Sequence, residues 1–140
     1  MSEDAAIADL ARSGLTPEDV EPAGWRYTDN AKLESFSFER VPALVIPYCD
    51  PLTREPVVDN GKPFVRVRYL VEVTNRDDKI IRYSQPRQSG VYAYYPAAVK
   101  WAEVFSDTTW PVVITEGEKK AEAAAKLGLA CIGLGGVWNW

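Results

Sequence analysis

The chain has 140 residues, 46% of them hydrophobic and 11% aromatic, which suits one sizeable core and a folded globular protein rather than a disordered one. It contains no histidine and only two cysteines, Cys49 and Cys131, so Cys₄ and Cys₂His₂ zinc sites, Ser-His-Asp triads and histidine acid-base catalysis are all excluded within one chain. The net charge of −4 is unevenly spread: residues 1–60 carry five Lys/Arg against twelve Asp/Glu, whereas residues 61–100 carry eight against three. A basic segment inside an acidic chain is the asymmetry expected of a nucleic-acid or nucleotide site.

No run approaches the ~20 apolar residues that span a bilayer. The start, MSEDAAIADLARSG, lacks the cationic and apolar regions of a signal peptide. A cytoplasmic protein with reduced cysteines and no membrane partner is expected.

Ile7, Leu10 and Ala11 have helical spacing, and Gly14 ends that pattern. Thr16, Pro17 and the acids at 18 and 19 read as the N-cap and first turn of a second short helix. Val41 to Tyr48 is a strand bounded by prolines, and Asp59-Asn60-Gly61 is the best hairpin-turn signal. Phe64 to Val73 alternates, with Val65, Val67, Tyr69, Val71 and Val73 on one face and Arg66, Arg68 and Glu72 on the other. With Ile80 to Ser84, these runs give an antiparallel sheet of about three strands.

Arg66 and Arg68, with Arg82 on the adjacent strand, place three guanidiniums where they could grip phosphates bidentately. The alternative is an ordinary solvated face on which they pair with Glu72 and acids of the N-terminal segment. Val91 to Tyr95 (VYAYY) could stack bases through Tyr92, Tyr94 and Tyr95, or serve as core. Residues 97–105 read as a short helix with Trp101 and Phe105 at i and i+4.

The closing stretch, WPVVITEGEKKAEAAAKLGLACIGLGGVWNW, carries most of the functional signal. Val112-Val113-Ile114 reads as a buried strand, Glu118 to Leu127 as a helix stopped by Gly128, and Leu129 to Leu134 as a second strand before Gly135-Gly136. This is one βαβ unit with parallel strands. Ala121, Ala124, Ala125 and Gly128 form a face of small residues for close packing on the sheet, and Glu122 and Lys126 form an i,i+4 pair opposite. Glu118 lies in the first helical turn, where negative charge suits the helix dipole. Glu116 stands at the carboxyl end of the first strand, where open α/β sheets place ligands, and Gly117 permits a tight turn. A carboxylate there can hold Mg²⁺, act as an acid or base, or simply be solvated.

Hydrophobic strand, Glu116-Gly117, alanine-rich helix, glycine, then a strand ending in a glycine-rich turn resembles the first half of a Toprim domain. Its wording is closest to Toprim-like domains of primase and primase-helicase replication proteins of phages and plasmids. Two further stretches carry the resemblance. LARSGLTPEDVEPAGWR resembles a phrase that opens the polymerase domain of this class, and the order Ile46-Pro47-Tyr48-Cys49-Asp50, Val67-Arg68-Tyr69-Leu70, Arg82-Tyr83-Ser84-Gln85-Pro86 is similar to motifs ahead of Toprim in DnaG-type primases.

The resemblance implies that Glu116 is the catalytic and metal-site acid, with Mg²⁺ as the ion. It further implies that Arg68 and Arg82, with Arg66 beside them, line a cleft for template and nucleotide. Lys119 and Lys120 are added as phosphate contacts. The family's second acidic motif, Asp-x-Asp, has no counterpart, because no Asp follows Asp107.

The expected fold is therefore α+β: a helical plus antiparallel-sheet subdomain at 1–105, then an incomplete α/β Toprim half at 106–140 with exposed strand edges. The expected function is the N-terminal part of a Toprim primase-like protein that binds single-stranded DNA or nucleotides and is catalytically incomplete alone, as an excised fragment or a short relative that has lost catalysis. A helicase domain or another replication protein is the expected protein partner. The alternative is a non-catalytic regulatory or inhibitor protein that uses the same fold to bind nucleic acid or a partner; a Toprim nuclease relative is a weaker third.

Overall fold

The computed structural model describes residues 3–135, and it is an α+β fold. Gly136, Trp138 and Trp140 lie outside the described residues. Helix α1 (Asp4–Ala11) is followed by the short α2 (Pro17–Val20), N-capped by Thr16 as the sequence suggests, with Asp19 completing a capping box. Four strands form the main antiparallel sheet in the order β1 (Arg26–Thr28), β2 (Ala43–Pro47), β5 (Val65–Thr74), β6 (Ile80–Ser84). The sheet has one strand more than expected. Three-residue β1 is too short for periodicity to reveal, and it is held by pairing with β2. The Asn60-Gly61 turn joins β3 (Val58–Asp59) to β4 (Lys62–Pro63), as its sequence predicts.

Alternation along β5 sends Val65, Val67 and Tyr69 into a core with Ala31, Phe38, Ala43 and Val45. Arg66 and Arg68 point to the other face, alongside their β2 partners Ile46 and Leu44. That second face is not solvated. The larger core lies on it, joining Leu10, Leu15, Trp25, Leu44, Ile46, Tyr48, Phe64 and Tyr94 to Ala121 and Cys131. The arginines are therefore buried, where the sequence allowed a wet face.

After α3 (Trp101–Ser106) comes the expected βαβ unit: β7 (Val112–Glu116), α4 (Glu118–Lys126) and β8 (Ala130–Leu134), with β7 and β8 parallel. The small face of α4 does pack closely. Ala121 is fully buried, and a Cβ added at Gly133 would stand 3.2 Å from Ala121 Cβ and 3.0 Å from the Gly117 carbonyl. On its other edge β8 bonds to Tyr94, whose N–H donates to Gly133 O at 2.8 Å.

Two expectations for this unit need correcting. Val112, Val113 and Ile114 are exposed at 44, 40 and 52%, because β8 is the one strand that β7 pairs with among the described residues. The Glu122–Lys126 pair does not form. Glu122 is buried and accepts a hydrogen bond from Tyr94 Oη, while Lys126 Nζ reaches Asp19 at 2.8 Å. The VYAYY cluster serves packing: Tyr94 lies in the larger core, Tyr92 packs against it, and the Tyr95 ring stands edge-on to Trp101.

Candidate functional site

A cleft of about 270 Å³ opens at the carboxyl end of β7, lined by Arg66, Arg68, Glu116, Gly117, Lys119 and Lys120 together with Glu118, Tyr83, Ser13 and Gly135. It brings together every site residue expected from sequence except Arg82. The turn that shapes it rests on Gly117, which N-caps α4 at φ +89°, a conformation that side-chain-bearing residues rarely adopt.

Two buried ion-pair systems form its walls. Arg66 Nη1 donates to Glu118 Oε1 at 2.6 Å, and Tyr48 Oη donates to the same oxygen at 2.6 Å. Glu118 Oε2 and Arg66 Nε are buried and unpartnered, so this pair uses one contact where the groups can make two. Glu118 is fully buried, so its role is to compensate Arg66 and not merely to sit favourably in the helix dipole. Burial opposes the charge on Arg66, but Glu118 and Tyr48 outweigh it and hold the guanidinium's pKa above its ordinary value. Burial and the Glu118 charge push the Tyr48 phenol well up.

In the second system Arg68 is bidentate on Asp9, Nε to Oδ2 at 2.6 Å and Nη2 to Oδ1 at 2.7 Å. Lys119 Nζ joins the same carboxylate at 2.9 Å and also donates to the Asp9 backbone carbonyl. Burial opposes ionisation of Asp9, yet the bonds from Arg68 and Lys119 prevail and hold its carboxyl below the usual range. Burial pulls Lys119 down, and its bond to Asp9 only partly offsets this. The Tyr83 ring lies over both guanidiniums, 5.2 Å from Arg66 Cζ and 5.1 Å from Arg68 Cζ.

Arg66, Arg68 and Lys119 are thus walls of the cleft, already partnered. Arg66 Nη2 and Arg68 Nη1 are engaged by neither carboxylate. Lys120 is exposed and has no ion-pair partner among the described residues; Glu116 is exposed likewise. Four cationic side chains meet three carboxylates, Glu118 spent on Arg66, Asp9 shared by Arg68 and Lys119, and exposed Glu116, so the site carries one net positive charge and favours an anion.

Arg82 lies elsewhere. Cross-strand pairing puts Tyr83 opposite Arg68, and Arg82 lines a neighbouring groove of about 340 Å³ that also borders Arg68. The three arginines do not form one face.

Sequence reasoning missed Tyr48 and Tyr83 and did not single out Asp9, although pairing of a strand arginine with an acid of the N-terminal segment, its alternative, is what Arg68 does. Asp9 stands three residues after the buried Ala6 on the inward stripe of α1, a placement that hints at a buried acid. The tyrosines carry no comparable signal, since each looks like ordinary strand or core aromatic.

No three His, Cys, Asp or Glu stand together as metal ligands among the described residues. Glu116 supplies one carboxylate. Mg²⁺ is commonly held by one or two carboxylates plus substrate phosphates, so Glu116 fits that ion only jointly with a bound phosphate.

Residues 100–140, which contain α3, β7, α4 and β8, match the profile of a family described as a domain of unknown function, DUF3854. No curated protein and no solved structure matches the chain.

Proposed function

We propose that the cleft at the end of β7 binds the phosphates of single-stranded DNA or a nucleotide, as part of a Toprim primase-like replication protein that is catalytically incomplete in this chain alone. The observation that carries the reading is the convergence of Arg66, Arg68, Lys119 and Lys120 on one cleft beside Glu116, in a chain of net charge −4. Lys120 is the exposed cation that meets the phosphate. The remaining N–H groups of Arg66 and Arg68 are pre-aimed by Glu118, Asp9 and Tyr83, so little side-chain entropy is lost on binding.

With phosphate bound, Glu116 would share Mg²⁺ with it, and the ion would neutralise charge on the phosphoryl oxygens. The natural setting on this reading is the cytoplasm of a cell carrying a phage or plasmid, next to a helicase domain or other replication protein; Cys49 and Cys131 are both free thiols, in keeping with a reducing compartment.

The second reading, a non-catalytic binding or regulatory protein, is favoured by one specific feature. Glu118 is consumed by Arg66, which leaves Glu116 as the single available carboxylate in the cleft among the described residues. Binding of labelled single-stranded DNA by wild type, Lys120→Ala and Glu116→Gln, with and without Mg²⁺, tests both. Loss in Lys120→Ala supports the cleft, and its retention at wild-type affinity refutes it. Mg²⁺-dependent binding that Glu116→Gln abolishes favours the primase-like reading, while indifference to both favours the regulatory one.

A further inference from the structure

The β5–β6 ladder slips between the pairs Arg68↔Tyr83 and Val73↔Ile81, leaving residues 69–72 of β5 opposite Arg82 alone. A bulge of this kind bends the strand and re-aims the side chain facing it. Here it opens the groove of about 340 Å³ between the sheet and α1.

Arg12 of the α1 C-cap and Arg82 of β6 both line that groove, are exposed, and have no ion-pair partner among the described residues. Two carboxylates share the space: Asp9, already spent on Arg68 and Lys119, and exposed Glu72. Much of the remaining lining is small or apolar, Ala5, Ala8 and Ile80 among it, which leaves room beside the guanidiniums. Arg68 borders both cavities, so a chain leaving the cleft past Arg68 meets Arg12 and Arg82 next.

We propose that the β5–β6 bulge creates a second anion lobe, walled by Arg12, Arg68 and Arg82, that takes the phosphodiester backbone of a single strand continuing out of the cleft. This rests on the phosphate-binding reading of the cleft and extends it to a polymer longer than one nucleotide. Planar guanidiniums match phosphate oxygens in pairs, and two uncompensated ones beside a shared third suit successive phosphates.

The test is fluorescence anisotropy with oligo(dT) strands of about 4 and about 16 nucleotides across a salt series. Wild type is compared with Arg12→Ala/Arg82→Ala and with Lys120→Ala, each first shown by thermal melting to be folded. The expected result is that the double variant weakens the long strand at least tenfold and flattens its salt slope by about 1.4, at ~0.7 per lost phosphate contact, while leaving the short strand unchanged. Wild-type behaviour of the double variant on the long strand overturns the lobe but leaves the cleft standing. Absence of binding by wild type to either strand removes the cleft reading and the lobe with it. Unchanged DNA binding in the double variant, together with loss of a glutamate-rich peptide that wild type binds, would assign the groove to an acidic protein segment and also overturn the proposal.

Discussion

Arg66 Nη1 and Glu118 Oε1 meet at 2.6 Å inside the protein, joining β5, one of the two inner strands of the sheet, to the first turn of α4. Both side chains are almost wholly buried, so neither can lose its partner without leaving a bare charge in a poorly solvating interior. Glu118→Gln or Arg66→Ala should therefore cost about 3–5 kcal/mol in urea unfolding. Lys120→Ala, at an exposed position in the same cleft, should stay within about 0.5 kcal/mol of wild type. Wild-type stability of Arg66→Ala would mean that the pair does not hold the fold together.

Asp9 gives an acid limb of the opposite kind. Its carboxyl is held below the usual range, so the stabilisation it supplies is present above ~3.9, the ordinary aspartate value, and is lost as pH falls through the depressed folded value. Asp9→Asn should lower stability at neutral pH, leaving Arg68 and Lys119 uncompensated, and should flatten the wild-type loss at low pH. Parallel slopes for the two proteins below pH 4 would contradict this.

Glu122 behaves in the reverse sense. Burial lifts its pKa from 4.5 to about 6, and the hydrogen bond from Tyr94 only partly opposes the rise. A raised folded value means that the stabilisation is complete below 4.5 and is lost as pH rises through about 6. The shift corresponds to about 2 kcal/mol. Glu122→Gln, which keeps an acceptor for Tyr94 without the charge, should be more stable than wild type at pH 8 by up to about that amount and should match it near pH 4. Chemical unfolding at both pH values decides; a variant less stable than wild type at pH 8 would show that the ionised carboxylate is accommodated.

The contact between α4 and β8 leaves no room for another methyl group. Gly133→Ala would place a Cβ 3.0 Å from the Gly117 carbonyl, which is backbone and cannot swing aside. A cost of about 1–3 kcal/mol is expected, against little change for Leu127→Ala, whose side chain is 81% exposed. Thermal melts of the two variants make the comparison; equal midpoints would show that the helix can slide.

Local order was legible wherever one stretch of sequence contains the whole cause. The Thr16 N-cap, the Asn60-Gly61 hairpin, the alternation of Val65 to Tyr69 and the strand-helix-strand of 112–134 each arise from neighbours in the chain. What failed needed knowledge of the roof over each face. Alternation set Arg66 and Arg68 apart from the valines, but could not say that the other face would be covered by a core including Ala121 of α4. Helical spacing paired Glu122 with Lys126, but Tyr94 and Asp19 are better partners and both come from distant segments. The three-arginine face failed on a register slip, which no local pattern at Arg82 announces.

Asp9 and Lys119 are separated by 110 positions, and Glu118 lies 70 positions from Tyr48. Closing such loops carries an entropy cost that only the finished contacts reward, which makes late assembly the economical order. During synthesis Asp9, Tyr48, Arg66 and Arg68 emerge before α4, so until Glu118 and Lys119 follow these groups are without their partners. The cleft therefore depends on α4, whose docking supplies the counter-ion of Arg66 and brings Lys119 to Asp9. A nascent chain stopped short of α4 would carry Arg66 without its counter-ion, a condition that chaperones and proteases act upon.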